Sequence, residues 1–521
     1  LGAATTLTST GAGDITFGAT LNGAQTLAVN TSGATTFTGA VGGTTALTSL
    51  TTDAGGTVAI NSGVVNTTGA QSYGEAATLG AATTLTSTGA GAITFGSSLN
   101  GAQTLAVNTS GATTFTGAVG GTAALTSLST DAGDTVAING GVVNTTGAQS
   151  YGEAATLGAA TTLTSTGAGD ITFGSTLNGA QTLAVNTSGV TTFTGAVGGT
   201  TALTSLTTDT NGSVVIRGGL IKTTAAQTYN KAVSLGADTL LQGVNVAMMS
   251  TVNGAFGLTV NDSGTTVLGG VVGGVAPLTS LSTDALGETH LKSALVHTTV
   301  DAVFNDIVKI FTDVQVKAAG QLTFAKTVDG DTANTRILKL DGGNTAAVNV
   351  QGNLGVATAL KTLEVVNSES STFIGAVKTD TSVVLTNSRV GIAFNGGLTT
   401  PNLSIANQPF ALTLRGTVSV NDQVTANNTG HLQLGGVESD NLYFVNGLVA
   451  TAPASMGIAG VLRSNNAAIL LGRSNTNLTL AADTDINSGS AGLHITSPVL
   501  TGNFRLRMLS TGPTTIDGNL T

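Results

Sequence analysis

The chain reads as an all-β protein, a right-handed parallel β-solenoid (β-helix) built from 78-residue tandem repeats, and three observations predict this fold. First, the sequence repeats itself: LGAATTLTST begins at Leu1 and again at Leu79, LGAATTLTSTGAGD returns at Leu157, and LGADTLL opens at Leu235. Such a period marks a stacked architecture, in which each unit buries its apolar face on the next. Second, large apolar residues alternate with Thr or Ala in short segments, the period-two pattern of a strand with one buried face. Third, no segment carries a 3.6-residue apolar stripe, and the segments are rich in Thr, Val and Gly, which disfavour helix.

Within the first repeat the strand segments are Thr6-Leu7-Thr8, Ile15-Thr16-Phe17, Leu27-Ala28-Val29, Thr36-Phe37-Thr38 and Val58-Ala59-Ile60. Gly11, Gly13, Gly23, Gly33, Gly42 and Gly43, with Asn22 and Asn30, punctuate them as turns require. Gly is expected to supply positive φ at the corners. A phrase recurs inside the unit: Leu7 leads to Phe17, Leu27 to Phe37 and Leu50 to Ile60, with Tyr73 as a fourth anchor. The spacing fits about four turns averaging about 19.5 residues, or three of about 26, with four preferred. About 27 turns, each rising about 4.8 Å, predict a rod of roughly 130 Å.

Differences between repeats sort the residues into inner and outer sets. Repeats one and two differ at seven positions: Asp14/Ala92, Ala19/Ser97, Thr20/Ser98, Thr45/Ala123, Thr51/Ser129, Gly56/Asp134 and Ser62/Gly140. No Leu, Ile, Val, Phe or Tyr changes, so these form the expected core. In the third repeat Val58, Ile60 and Val64 become Val214, Ile216 and Leu220. Asn61, Asn66 and Glu75 become Arg217, Lys222 and Lys231, which reads as outward polar positions changing charge freely. In the fourth repeat Leu258 and Val267 stand for Leu27 and Phe37, Leu291 for Ile60, and Phe304 for Tyr73. The expected organisation is four repeats over 1–309 (1–78, 79–156, 157–234 and 235–309), followed by a degenerate solenoid continuation over 310–521. Leu363, Phe373, Gly375 and Val377 copy the Leu27, Phe37, Gly39 and Val41 phrase there.

Composition narrows the function. With 8% charged residues and 40% hydrophobic ones, the chain is not of the disordered class, and no apolar run approaches the roughly 20 residues of a membrane-spanning helix. Lys and Arg number 17 against 27 acidic residues, and residues 1–216 hold eight acidic side chains and no Lys or Arg, so nucleic acid is not an expected partner. The absence of Cys removes disulfides and thiol chemistry without fixing the compartment. Opening on Leu1-Gly2 inside a repeat, the chain reads as a piece of something longer.

Each chemistry-bearing group has a plainer reading. His290 and His297 take the register of Ala59 and Asn66 and, like His431 and His494, read as solvated side chains and not zinc ligands. Asp329-Gly330-Asp331 with Asn334 faintly resembles a calcium loop but lacks its bidentate Glu. Asp53, Asp131, Asp209 and Asp284 recur after Thr and read as turn formers that accept a backbone N–H. Polysaccharide cleavage needs grouped carboxylates with basic partners, which the first two repeats do not offer. The Thr-x-Thr triplets at Thr6–Thr8 and Thr36–Thr38 do not recur on every turn, as an ice-binding face requires. No catalytic, cofactor or metal residue is assigned, and no cofactor is expected.

Phrases such as Leu27-Ala28-Val29-Asn30-Thr31 and Thr36-Phe37-Thr38-Gly39-Ala40-Val41-Gly42-Gly43 resemble the β-strand-repeat regions of large bacterial surface proteins, the filamentous-haemagglutinin-like and autotransporter-type adhesins. The resemblance implies a non-enzymatic, extracellular or cell-surface structural and adhesive rod, whose partners are a host surface or polysaccharide. The alternative is a subunit of a self-assembling extracellular filament or sheath that pairs with itself through exposed strand edges. A polysaccharide-binding or polysaccharide-cleaving β-helix is the least favoured reading.

Overall fold

A computed structural model describes residues 1–520. Every regular element among them is a strand, so none is a helix able to cross a membrane. The chain divides into two compact units, Leu1–Val252 and Asn253–Thr521, a division that falls inside the fourth repeat.

In the first unit each strand pairs, parallel and in register, with a strand about 21 residues further along. One ladder runs from Thr5 through Leu27, Leu50, Gln71, Ile93, Thr113, Val136, Ala155, Leu177, Val197 and Ile221 to Leu241. A second runs from Ile15 through Thr35, Val58, Ala77 and Leu99 to Val119, Val143 and Leu163. A third runs from Leu21 through Val41, Val65, Leu85 and Val107 to Thr130 and Tyr151. Each lap therefore contributes one strand to each of three faces.

This count replaces the expected four laps per repeat. The first repeat holds eleven strand positions: Thr5–Ser9, Ile15–Phe17, Leu21, Thr26–Thr31, Ala34–Phe37, Val41, Ser49–Thr52, Thr57–Ile60, Val64–Thr67, Gln71–Tyr73 and Ala76–Leu79. Eleven is one short of four full laps of three, so each repeat begins one face behind its predecessor. The segment Thr-Thr-Leu-Thr-Ser accordingly lies on the first ladder at Leu7, on the third at Leu85 and on the second at Leu163. Three repeats return it to its starting face.

The inner set is the one that the alternation predicts. Leu27, Phe37, Ile60, Tyr73, Phe95 and Phe115 are buried, and a buried apolar side chain of this size contributes about 1.5–3 kcal/mol. Because equivalent positions meet on successive laps, rings stack: Tyr73 on Phe95 at 5.1 Å and Phe95 on Phe115 at 5.6 Å on the first face. On the third face Tyr151 and Phe173 stack at 5.2 Å, and Phe173 and Phe193 at 5.7 Å. In the fourth repeat Leu268, not Val267, takes the place of Phe37: Leu268 is buried opposite Leu291, while Val267 pairs outward beside His290.

Corners divide into two kinds. Val41 and Leu47 pair Val65 and Thr67 of one strand, so residues 42–46 loop out between them. The excursion opens on Gly42 at φ 68°, where a Cβ would stand 2.1 Å from the Asn66 carbonyl oxygen, and Asn22 Oδ1 accepts the N–H groups of Thr44 and Thr45 above it. At Gly11-Ala12-Gly13, by contrast, the left-handed residue is Ala12 at φ 57°, not a glycine; Ser9 Oγ holds the turn by accepting the Gly13 N–H.

The second unit continues the same parallel stacking without the 78-residue regularity. One ladder runs from Leu258 through Leu281, Ala302, Leu322, Val348, Ser371 and Ile392 to Leu412, Leu432, Met456, Leu478 and Leu500. Phe373 stacks on Phe394 at 4.7 Å within it.

Candidate functional site

The groups singled out in the sequence fall on separate parts of the surface, and most are occupied by neighbours. Glu288 binds both His290, at 2.6 Å, and Lys309, at 2.7 Å; Lys309, then burial in opposition, sets the Glu288 carboxyl, which ends below its ordinary range. His431 meets Ser455 and His494 meets Asp517. Asp329 of the calcium-like loop accepts the N–H groups of Ala357 and Thr358. It thus caps the excursion after Leu354-Gly355 as Asn22 caps its own. Asp331 is paired with Arg336 at 2.6 Å, which holds its carboxyl below the usual carboxylate range.

One cluster of grouped carboxylates and guanidinium groups lies outside the sequence reading: Asp483, Asp485, Arg505 and Arg507, which share a surface depression with Glu438. Arg507 on one lap binds Asp485 on the lap before it, and Arg505 reaches Asp483 at 3.4 Å. Arg507 keeps Asp485 ionised by holding its carboxyl low, whereas a general acid needs a raised value. The cluster is an ion-pair ladder.

The unusual chemistry is internal. Glu75 and Lys231, read from sequence as outward, and Glu153, which stands at the same place in repeat two, are buried at 2%, 1% and 4% exposure. Each follows the Tyr strand at the corner between two faces, where the backbone leaves the strand conformation and alternation no longer tells inside from outside. Lys231 Nζ donates to the Thr187 carbonyl oxygen at 2.6 Å and to Thr191 Oγ1 at 3.4 Å, and pairs with Asp209 Oδ1 at 2.8 Å. Lys231 therefore gathers oxygens from the two preceding laps.

In repeats one and two the same corner holds a carboxylate, Glu75 and Glu153. Thr35 Oγ1, Asp53 Oδ1 and both carboxylate oxygens of Glu75 are buried without a hydrogen-bond partner. So are Thr113 Oγ1, Thr130 Oγ1, Asp131 Oδ1 and Glu153 Oε2. Burial, the largest cause, pushes the Glu75 and Glu153 carboxyls above their ordinary range; nearby Thr hydroxyls oppose it, and the charges of Asp53 and Asp131 add to it. Asp284 accepts the Asp262 N–H at 3.1 Å, as expected of a turn former, whereas Asp209 Oδ1 holds Lys231 and the buried Oδ1 atoms of Asp53 and Asp131 have no partner.

Beside each corner lies a closed polar set. Tyr73 Oη donates to Gln71 Oε1 at 3.0 Å, and Gln71 Nε2 donates to the Val65 and Thr86 carbonyls and to Thr67 Oγ1. Gln149 with Tyr151 and Gln227 with Tyr229 repeat it. In the fourth repeat Ala302 and Phe304 remove amide and hydroxyl together, so no polar group is stranded.

Comparison with protein-family models, with curated proteins and with solved structures gave no match.

Proposed function

We propose that this chain is a non-enzymatic structural or adhesive element of a bacterial surface protein, exposed outside the cell, of the filamentous-haemagglutinin-like or autotransporter-type kind. The supporting observation is the stepping of each repeat by one face. Within three repeats every outward segment is presented on all three faces, which suits a spacer whose sides are equivalent. The internal corner recurs with every repeat, as expected of a part that serves the scaffold.

Two measurements test the reading. Antibody raised against the chain should label intact cells of the source organism, and label appearing only after lysis would overturn the surface assignment. Electron microscopy of the purified chain should show separate particles; ordered polymers would favour the filament or sheath subunit instead.

A further inference from the structure

We infer that the buried corners of repeats one and two each bind a calcium ion, at the position that the Lys231 ammonium takes in repeat three. The first site is formed by the Thr31 carbonyl oxygen, Thr35 Oγ1, Asp53 Oδ1 and the Glu75 carboxylate. The second uses the Thr109 carbonyl oxygen, Thr113 Oγ1, Asp131 Oδ1 and the Glu153 carboxylate.

The repeats supply the comparison. Thr187, Thr191 and Asp209, which hold the Lys231 ammonium, are the residues equivalent to Thr31, Thr35 and Asp53, 156 positions further on. Thr31, Thr35 and Asp53 are kept as Thr187, Thr191 and Asp209, while Glu75 becomes Lys231 and its neighbour Gly74 becomes Asn230, which bonds Thr208. A buried carboxylate and its neighbours left without partners are costly, and that cost is met differently in each later repeat. Repeat three replaces Glu by Lys, a change of two positive charges. Repeat four keeps an acid, Asp306, and gives it two hydroxyl donors, Thr283 at 2.8 Å and Thr289 at 2.7 Å; Thr289 stands where Val58 does. Repeats one and two have neither the ammonium nor a hydroxyl at the Thr289 position, where Val58 and Val136 stand. A divalent cation restores the same two charges beside Glu75.

The donor set selects the ion. All the oxygens are hard, and no three His, Cys, Asp or Glu side chains gather anywhere among the described residues, so a zinc-type site does not arise. Glu75 in bidentate mode, Asp53, Thr35 and the Thr31 carbonyl supply five oxygens. Calcium accepts 6–8 oxygens in irregular geometry, including carbonyls and waters, whereas magnesium demands a regular octahedron and holds its own waters. Asp53 is partly exposed, which gives the ion a way in.

The inference goes beyond the surface-protein reading and does not depend on it. Calorimetric titration of the full chain with calcium chloride at neutral pH, with unfolding midpoints measured in calcium and in EGTA, tests it. The wild type is expected to bind two more ions than Glu75→Lys/Glu153→Lys, and Glu75→Lys alone to lose one. Calcium should raise the wild-type midpoint, and the double Lys variant should unfold in EGTA no earlier than the wild type. Equal stoichiometry in wild type and double variant, or a wild-type midpoint indifferent to calcium, overturns the proposal. Indifference to calcium together with a midpoint that rises on acidification would show a shared proton at the corner instead. Should the Lys variant lose its β spectrum, Glu75→Gln/Glu153→Gln decides: at least tenfold weaker binding at two sites supports the proposal, and unchanged binding overturns it.

Discussion

The Tyr73 hydroxyl donates to Gln71 Oε1 at 3.0 Å, with both side chains wholly buried two residues apart on one strand. The bond closes a polar set inside the lumen, and it makes the two residues a unit. Their joint replacement by Ala302 and Phe304 follows from that.

Tyr73→Phe should therefore cost about 1–2 kcal/mol, because it strands one buried amide oxygen. In a Gln71→Ala background the same change should cost close to nothing, since no acceptor is left. Local opening free energies from amide hydrogen exchange around Tyr73 would measure the coupling, and additive costs would contradict the unit.

Two neighbouring glycines should respond very differently. Gly120 has φ 67°, and a Cβ there would stand 2.2 Å from the Asn144 carbonyl oxygen of the next lap. Gly120→Ala should destabilise by about 3 kcal/mol or more, from strain added to a backbone clash. At Gly121 the nearest atom is the Ala118 Cβ at 3.3 Å and φ is not positive, so Gly121→Ala should cost well under half as much. Denaturant midpoints of the two variants give the comparison.

At Ala90 the sign should reverse. Its φ of 61° costs an L-residue about 1–2 kcal/mol, and glycine gives back part of this through its larger unfolded-state entropy. Ala90→Gly should stabilise by about 0.5–1 kcal/mol, read as a raised denaturant midpoint.

The corner acids predict a pH dependence in metal-free protein. Burial raises the folded-state values of Glu75 and Glu153, so the folded state prefers their protonated forms. Their contribution to stability is therefore unfavourable above the folded value. It improves as pH falls toward the ordinary carboxylate value of about 4.3. In EGTA, Glu75→Gln/Glu153→Gln should be more stable than the wild type at neutral pH, and the gap should close on acidification. A gap that widens as pH falls would show that the two carboxylates are stabilised as anions.

The strand parts of the fold were open to reading from residue order because period two there has one physical cause. Successive side chains on an extended backbone point to opposite sides, so Leu27, Phe37, Ile60 and Tyr73 had to share the lumen once any of them did. The displacement of Val267 by Leu268 shows how narrow that logic is: one residue of slip reverses inside and outside. At corners the rule has no purchase. Glu75 and Lys231 looked like surface positions because their charge varies, and Ala12 was passed over because two glycines flank it.

Residue order alone thus determined that this chain is all-β, that it stacks parallel laps, and which strand residues line the interior, since local extended geometry settles each of these. Only the tertiary structure decided that three strands close a lap. That number is set by how the corners bend, so the 78-residue repeat is not a whole number of laps and its faces rotate. The same closure brings Thr187, Asp209 and Lys231 together from three successive laps, because lateral neighbours in a solenoid are separated by a lap length that no short-range pattern encodes.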